Sequence, residues 1–177
     1  MTELVLRHTG QLEAAVLATA RELLEQVFDG EFTDHDWEHC LGGVHALLWD
    51  GAELLGHAAL IQRRLLHSGR ALRTGYVEGV GVRAAARRRG HGAALMAAVE
   101  QVARNAYELA ALGATEEAAT FYARRGWRPW QGPTSALTPA GIVRTEEDDG
   151  WVYVLPITAE LDLRGELVCD WRDGDAW

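Results

Sequence analysis

Residues 76–95, with the sequence YVEGVGVRAAARRRGHGAAL, constrain the fold of this chain more than any other stretch. The first seven residues alternate as a β-strand does, and four side chains fall on one face: Tyr76, Glu78, Val80 and Val82. Gly79 and Gly81 leave the opposite face without side chains, so another group can approach the backbone closely there. The segment therefore predicts a strand that exposes its backbone and leads into a turn.

The turn combines arginines and glycines where a helix begins. Its six residues are consecutive: Arg87, Arg88, Arg89, Gly90, His91 and Gly92. A helix N-terminus carries unpaired N–H groups and a partial positive charge, and arginine forks match phosphate oxygens. The turn therefore predicts a pyrophosphate site. It is not a dinucleotide fingerprint, because Leu95 stands where G-x-G-x-x-G requires Gly or Ala.

The composition excludes several mechanisms. All 17 basic residues are arginine, so no lysine is present for a Walker phosphate loop, a Schiff base or pyridoxal chemistry. Cys40 and Cys169 lie far apart and near no other ligand cluster, which argues against a disulfide and predicts no metal site. The length of 177 residues predicts a single domain over 1–177. No signal-like or membrane-spanning run is present, so we expect a cytoplasmic protein without membrane contact.

Charge is unevenly distributed along the chain. The net charge is −9, yet residues 145–177 hold ten acids against two arginines, whereas basic residues cluster at 83–89. An acidic protein lacks the broad basic face that nucleic acid requires. The acidic end of the chain instead favours a cationic partner.

The order of predicted elements indicates an α/β fold. A strand at 4–7 and a helix at 12–27 come first. A second helix begins at Thr33, with Asp36 three residues on as in a capping box, and ends at about 42. An antiparallel meander of strands at 45–49, 54–64 and 70–83 follows. A helix to about 105 and a strand at 107–112 then form a parallel crossover. A helix at 115–125 and strands at 127–130 and 151–157 follow, separated by a loop and ending in a C-terminal arm.

The motif Arg87-x-x-Gly90-x-Gly92 after a glycine-bearing strand resembles the acyl-CoA motif of the GNAT superfamily of N-acetyltransferases. Four separate stretches further resemble the aminoglycoside 2′-N-acetyltransferases: DGEFTDHDWEHCLGG at 29–43, GYVEGVGVR at 75–83, FYARRGW at 121–127 and CDWRDGDAW at 169–177. This resemblance implies the GNAT fold, with a mixed, mostly antiparallel sheet, a splay between the central strands and helices on both faces. It also implies a homodimer.

The resemblance implies that acetyl-CoA lies in the splay between the strand at 76–82 and the strand at 107–112. The main chains of Val80 and Val82 would bind the pantetheine as an added strand does. Arg87, Arg88, Arg89, Gly90, His91, Gly92 and Ala93 would hold the pyrophosphate.

The resemblance also assigns the acid–base residues. Glu78 would be partly buried, which disfavours its charged form and suits a general base for the protonated substrate amine. Tyr122, within FYARRGW, occupies the position of the family's tyrosine that protonates the departing CoA thiolate. Neither Cys40 nor Cys169 has an activating histidine arrangement, which favours direct attack without an acyl-enzyme.

Acidic residues supply the expected substrate contacts. The resemblance implies contacts to the aminoglycoside from Glu31, Asp36, Glu78, Gly79, Asp148, Asp149, Asp175 and Trp177, the last through its terminal carboxylate. Glu31 stands where relatives have aspartate. Four tryptophans could be platforms for sugar rings, namely Trp37, Trp151, Trp171 and Trp177, but core packing is the default for all except Trp177.

Two alternatives stay open on the sequence. The same fold could acetylate another cationic amine, such as a polyamine, an amino sugar or a peptide N-terminus. It could also serve as a non-catalytic CoA-binding sensor, which would require neither Glu78 nor Tyr122.

Overall fold

The computed structural model describes residues 1–177 and contains four α-helices and ten strands. The helices are α1 (Ala14–Val27), α2 (Asp34–His39), α3 (His91–Ala106) and α4 (Glu116–Arg124). The strands are β1 (Thr2–His8), β2 (Val44–Asp50), β3 (Glu53–His67), β4 (Arg70–Val82), β5 (Leu109–Gly113), β6 (Arg128–Pro129), β7 (Thr134–Thr138), β8 (Gly141–Arg144), β9 (Val152–Pro156) and β10 (Leu167–Cys169). None of the helices is long and apolar enough to span a bilayer.

The chain divides into two compact units. The first unit comprises Met1–Ile61 and Val77–Val102, and the second comprises Gln62–Tyr76 and Ala103–Trp177. The strands β3 and β4 and the helix α3 contribute residues to both units. The prediction of a single domain over 1–177 stays a prediction.

In the first unit, helices α1 and α2 pack against a core to which strands β2 and β3 contribute. Strand β2 pairs antiparallel with both β1 and β3. Helix α1 forms because its apolar residues recur at helical spacing, and it buries Ala20, Leu23 and Leu24 against that core. Helix α2 begins at the predicted capping box, in which Thr33 and Asp36 each accept a hydrogen bond from the other's backbone N–H.

In the second unit, the predicted parallel crossover is present. Strand β4 pairs parallel with β5 over only three residues, and this pairing ends at Tyr76 opposite Ala111. Strand β9 continues the sheet antiparallel to β5, and β6 lies beyond β9. A separate core of the second unit surrounds buried Tyr76, Trp130 and Trp177.

Part of the region expected to be irregular forms strands. Strands β7 and β8 pair as an antiparallel hairpin in the segment predicted as a loop. The C-terminal arm contains β10, which pairs parallel with β7 and antiparallel with β3. The prediction missed these strands because each is short and β10 depends on partners distant in sequence.

Candidate active site

The turn before α3 has free backbone donors. Helix α3 begins at His91, and the first bond of the helix runs from the Ala94 N–H to the Gly90 carbonyl at 3.0 Å. The N–H groups of His91, Gly92 and Ala93 precede that bond, so the helix itself provides them no acceptor. All three residues are partly exposed. The turn therefore presents the donors that the sequence predicted.

The backbone of the turn adopts an unusual conformation. Arg88 has a φ of 61° and Gly90 a φ of 83°, both in the left-handed region. Such alternation around a turn directs successive N–H groups into one concavity, which suits an anion. The side chains of Arg87, Arg88 and Arg89 are exposed, and the Arg87 Nε donates a hydrogen bond to the Val82 carbonyl at 3.1 Å. Geometry and charge at this turn fit a pyrophosphate.

Gly79 and Gly81 have a role different from the predicted one. A Cβ on Gly79 would lie 2.6 Å from the Cys40 Sγ and 3.0 Å from Leu24. A Cβ on Gly81 would also lie 3.0 Å from Leu24. The face that the glycines leave bare is therefore filled by α1 and Cys40. The close approach to the backbone that these glycines were expected to allow is made by side chains of the first unit itself.

Glu78 follows the buried residue Val77 on β4 and is itself half-buried, as predicted. Val80 and Val82, the residues expected to bind pantetheine, are also half-buried. Gly79 lies between Glu78 and Val80 with a φ of 54°. A left-handed glycine inside a strand interrupts the regular alternation, as at a β-bulge. The side-chain directions along this end of β4 therefore depend on how Gly79 is held.

A buried chain of hydrogen bonds holds Gly79. The His57 Nδ1 lies 2.7 Å from the Gly79 carbonyl oxygen, and the His57 Nε2 lies 2.9 Å from the His45 Nδ1. The His45 Nε2 lies 2.8 Å from the Thr9 hydroxyl. Both imidazoles are fully buried. These hydrogen bonds were not predicted from the sequence. A histidine within each of the apolar segments VHALLWD and ELLGHAAL is nevertheless a detectable signal of a buried polar contact.

Tyr122 lies in the second unit on α4. Its side chain is buried and packs against three other aromatic rings, with centroid distances of 5.2 Å to Phe121, 6.1 Å to Trp127 and 6.4 Å to Tyr153. These contacts fix the ring firmly. Its assignment as the acid stays a prediction.

The acidic residues near 148 are not equivalent. Burial, together with the nearby carboxylates of Glu147 and Asp175, raises the pKa of Asp148. The Asp175 carboxylate therefore lies near Asp148. Asp149 differs, because its carboxylate accepts hydrogen bonds from Arg144 and from the backbone and hydroxyl of Thr134, which hold its pKa well below its usual range.

The predicted acids of the first unit are also not equivalent. The Asp36 carboxylate accepts hydrogen bonds from the N–H and hydroxyl of Thr33 at 2.7 and 2.8 Å. Glu31 is exposed in the loop between α1 and α2. Asp36 and Asp149 thus each hold a local structure together. The capping box that contains Asp36 was predicted from the sequence, whereas the partners of Asp149 were not.

The C-terminal residue has its indole in the core. Trp177 is 9% exposed, belongs to the core of the second unit and donates from its Nε1 to the Thr145 hydroxyl at 3.0 Å. The interpretation of Trp177 as a platform for sugar rings is therefore wrong. Trp151 and Trp171, expected in the core, are 47% and 52% exposed. Trp37 is half-buried against the core of the first unit, as expected.

The terminal carboxyl group lies apart from that indole contact. The Trp177 carboxyl carbon is 4.0 Å from the position that a Cβ would take on Gly113, at the end of β5, and the Tyr76 hydroxyl is 3.8 Å from the same position. Arg63 anchors the tail, because its guanidinium donates to the Asp170 carboxylate and to the Ala176 carbonyl.

Trp151 borders a cavity in the second unit. The cavity has a volume of about 230 Å³, and its lining includes Asp149, Tyr153 and Glu116. An exposed indole beside carboxylates offers both an apolar face and negative charge. The sequence offered Trp151 as a possible sugar platform but favoured a place in the core, and the indole is exposed.

Comparisons with known proteins show which family the chain resembles. The family model described as an acetyltransferase (GNAT) domain matches residues 11–130. An aminoglycoside 2′-N-acetyltransferase from Mycolicibacterium fortuitum is 51% identical over 174 residues, which cover 96% of this chain and 89% of the relative.

Solved structures show the same fold. Escherichia coli ElaA has a TM-score of 0.62 at 20% identity, over 88% of this chain and 99% of that chain. A GNAT family acetyltransferase from Brucella melitensis, solved in complex with acetyl-CoA, has a TM-score of 0.61 at 15% identity, over 93% of this chain and 94% of that chain.

Fold and family match together define the class: the chain is a GNAT-fold acetyltransferase, and the prediction of fold class is confirmed. Within that class, the identity and coverage of the Mycolicibacterium relative show that it belongs to the aminoglycoside 2′-N-acetyltransferase family. The family that the sequence motifs resemble is therefore confirmed.

Proposed function

We propose that this protein transfers the acetyl group of acetyl-CoA to the 2′-amino group of an aminoglycoside and thereby confers resistance. The observation that carries the proposal is the 51% identity to an aminoglycoside 2′-N-acetyltransferase over 96% of the chain. The turn before α3 supports it independently, because its free N–H groups and exposed arginines suit the pyrophosphate of a coenzyme A thioester.

Acetyl-CoA supplies the activated acyl group as a thioester. In this proposal, the N–H groups of His91, Gly92 and Ala93 bind the pyrophosphate, with charge from the exposed arginines of the turn. The main chains of Val80 and Val82 bind the pantetheine. No metal takes part in this scheme.

Glu78 and Tyr122 move the protons. An aminoglycoside amine is protonated at neutral pH and must lose a proton before it can attack a carbonyl carbon. Glu78, directly or through water, accepts that proton, and a C–N bond forms as the C–S bond breaks. Tyr122 donates a proton to the sulfur that leaves, and the products are the acetamide and free coenzyme A.

The cysteines support direct attack. Cys40 and Cys169 are both buried. Burial raises the pKa of Cys169 to about 11, so its thiol is not ionised at neutral pH. Only a thiolate is an efficient nucleophile. Neither cysteine therefore suits an acyl-enzyme.

The amines of the substrate need several carboxylates. Asp148, Asp175 and the carboxylate of Trp177 are the candidates in the second unit, and Glu31 is the exposed candidate in the first. Asp36 and Asp149 keep their assignments as weaker candidates, since each already accepts local hydrogen bonds. We also propose that the protein is a cytoplasmic homodimer and that it binds neither nucleic acid nor a membrane.

A panel of amines assayed for thiol release from acetyl-CoA tests the proposal. We expect turnover with aminoglycosides that carry a 2′ amine and much less with spermidine, glucosamine or a peptide N-terminus. Faster turnover of one of those amines would favour the alternative acetyltransferase. Binding of acetyl-CoA without thiol release for any amine would favour the sensor.

A further inference from the structure

Three hydrogen bonds link Gly79 to Thr9 through His57 and His45. When both imidazoles are neutral, only one assignment of donors and acceptors satisfies all three bonds. A carbonyl oxygen can only accept, so the His57 Nδ1, 2.7 Å from the Gly79 oxygen, must carry the proton. The Nε2 of a neutral His57 is then an acceptor, and the His45 Nδ1 donates to it. The His45 Nε2 in turn accepts from the Thr9 hydroxyl.

The surroundings keep both imidazoles neutral. Burial lowers the pKa of His57 to about 4, although its bond to Gly79 opposes that effect. Burial also lowers the pKa of His45 to about 4. Near neutral pH each ring therefore has one N–H, and both rings carry it on Nδ1.

The bond to the Gly79 carbonyl also orients Val80. Every peptide bond in the chain is trans, so the Val80 N–H points away from the Gly79 carbonyl across the same peptide plane. Gly79 has a φ of 54° and no side chain, so nothing else in its own residue fixes this plane. His57 draws the carbonyl towards the buried histidines. The Val80 N–H consequently points in the opposite direction.

From this geometry we infer that His57 is a positioning residue for acetyl-CoA, which turns the Val80 N–H outward to the cofactor through its bond to the Gly79 carbonyl. Thr9 and His45 act indirectly. The Thr9 hydroxyl fixes the tautomer of His45, and His45 in turn fixes the tautomer of His57. The inference rests on the proposed function, in which the Val80 main chain binds acetyl-CoA. It adds a residue that contacts neither the cofactor nor the amine.

A substitution series at His57 tests this inference. His57→Leu removes the donor, whereas His57→Asn keeps an N–H near the position of Nδ1. We expect His57→Leu to raise the KM for acetyl-CoA about tenfold, the effect of losing one oriented hydrogen bond, and to leave the KM for the amine unchanged. His57→Asn should return the acetyl-CoA KM to within about twofold of wild type.

His67 provides the matched control. It is a buried histidine on the same strand, and its Nδ1 lies 2.9 Å from the Glu166 carbonyl, away from Gly79. His67→Leu should lower the thermal midpoint as His57→Leu does but leave the acetyl-CoA KM unchanged. An equal rise in KM for both leucine variants, or failure of His57→Asn to restore KM, would show a merely structural role and overturn the inference.

A spectrum of the wild-type protein tests the chain of bonds even if His57→Leu does not fold. Long-range ¹H–¹⁵N correlation at pH 7 should show both His45 and His57 as Nδ1–H tautomers, and acetyl-CoA should shift the Val80 amide resonance. An Nε2–H tautomer at His57 would overturn the inference while leaving the proposed function intact. Absence of acetyl-CoA binding to the wild type in calorimetry would instead defeat the proposed function, and the inference with it.

Discussion

The indole nitrogen of Trp177, the last residue, donates a hydrogen bond to the buried hydroxyl of Thr145 at 3.0 Å. Thr145 itself donates to the Thr134 hydroxyl at 3.1 Å. The C-terminus is therefore tied to the base of the β7–β8 hairpin within the second unit. The Trp177 indole stabilises the fold. Within the tail, the candidates for substrate binding are the Trp177 carboxylate and the exposed Asp175.

The two roles of the tail can be separated by substitution. Trp177→Ala should destabilise the protein by about 3–5 kcal/mol, since it empties a buried aromatic site. One glycine added after Trp177 should keep the indole in place, displace the carboxylate, and raise the amine KM severalfold with the acetyl-CoA KM unchanged. Chemical denaturation and steady-state kinetics measure the two effects.

Asp175→Asn complements the added glycine, because it removes one exposed charge and leaves the tail length unchanged. It should weaken amine binding, and the weakening should diminish as salt concentration rises. If both the added glycine and Asp175→Asn leave the amine KM unaltered, the tail has a structural role alone.

The turn before α3 should determine affinity for acetyl-CoA. Arg87→Ala with Gly92→Val should weaken acetyl-CoA binding by about tenfold or more, because one change removes charge and the other adds bulk beside the free N–H groups. Arg104→Ala with Ala97→Val places the same types of change on exposed positions of α3 further from its N-terminus. Calorimetry on the two folded double variants measures their affinities for acetyl-CoA. Equal affinities would refute the pyrophosphate assignment.

Glu78 and Tyr122 should act on the chemical step. Glu78→Gln should lower kcat by on the order of a hundredfold and remove the acidic limb of the pH–rate profile, since an amide cannot accept the proton. Tyr122→Phe should lower kcat more than it alters the amine KM. Stopped assays of thiol release across pH measure both variants.

Tyr153→Phe is the control for Tyr122→Phe, because Tyr153 is a buried tyrosine whose ring centroid lies 6.4 Å away. It should retain turnover close to that of the wild type. Near wild-type kcat in both Glu78→Gln and Tyr122→Phe would show that the acid and base have been assigned wrongly.

The buried histidines should make stability depend on mild acid. An unfolded imidazole titrates near 6.5, whereas burial lowers the pKa of both His45 and His57 to about 4. Between these values the unfolded chain binds more protons, so stability falls as the pH falls. From pH 7.5 to pH 5 we expect a loss of about 2 kcal/mol for each histidine.

Urea denaturation at a series of pH values measures this loss. The double variant His45→Gln with His57→Asn should be less stable at pH 7.5 but should lose much less stability on acidification. A wild-type protein whose free energy of unfolding is constant from pH 7.5 to pH 5 would contradict buried, neutral imidazoles.

Local patterns in the sequence were enough to predict the main elements that carry the candidate site. The Thr33–Asp36 capping box, the parallel crossover through α3 and the turn at 87–92 each depend on neighbouring residues, whose preferences act within a few positions. The predicted bounds of these elements differ from the observed ones by only a few residues.

The features that the sequence analysis missed depend on distant residues. The close packing at Gly79 depends on Cys40, and the orientation of its carbonyl depends on His57. The burial of Trp177 depends on Thr145 and on the core of the second unit. Asp149 looked like a free carboxylate because its partners Arg144 and Thr134 meet it only when the β7–β8 hairpin forms. Such partnerships cannot be found from spacing along the chain.

The position of the acetyl group on the product tests the central claim most directly. Kanamycin A carries a hydroxyl at the 2′ carbon where kanamycin B carries an amine, and tobramycin also carries the 2′ amine. A hydroxyl is a poorer nucleophile and lacks the charge that the carboxylates bind. We predict rapid acetylation of tobramycin and kanamycin B, very slow turnover of kanamycin A, and NMR spectra that locate the acetyl group on the 2′ nitrogen. Equal turnover of kanamycin A and kanamycin B, or an acetyl group on the 3 or 6′ nitrogen, would contradict the account.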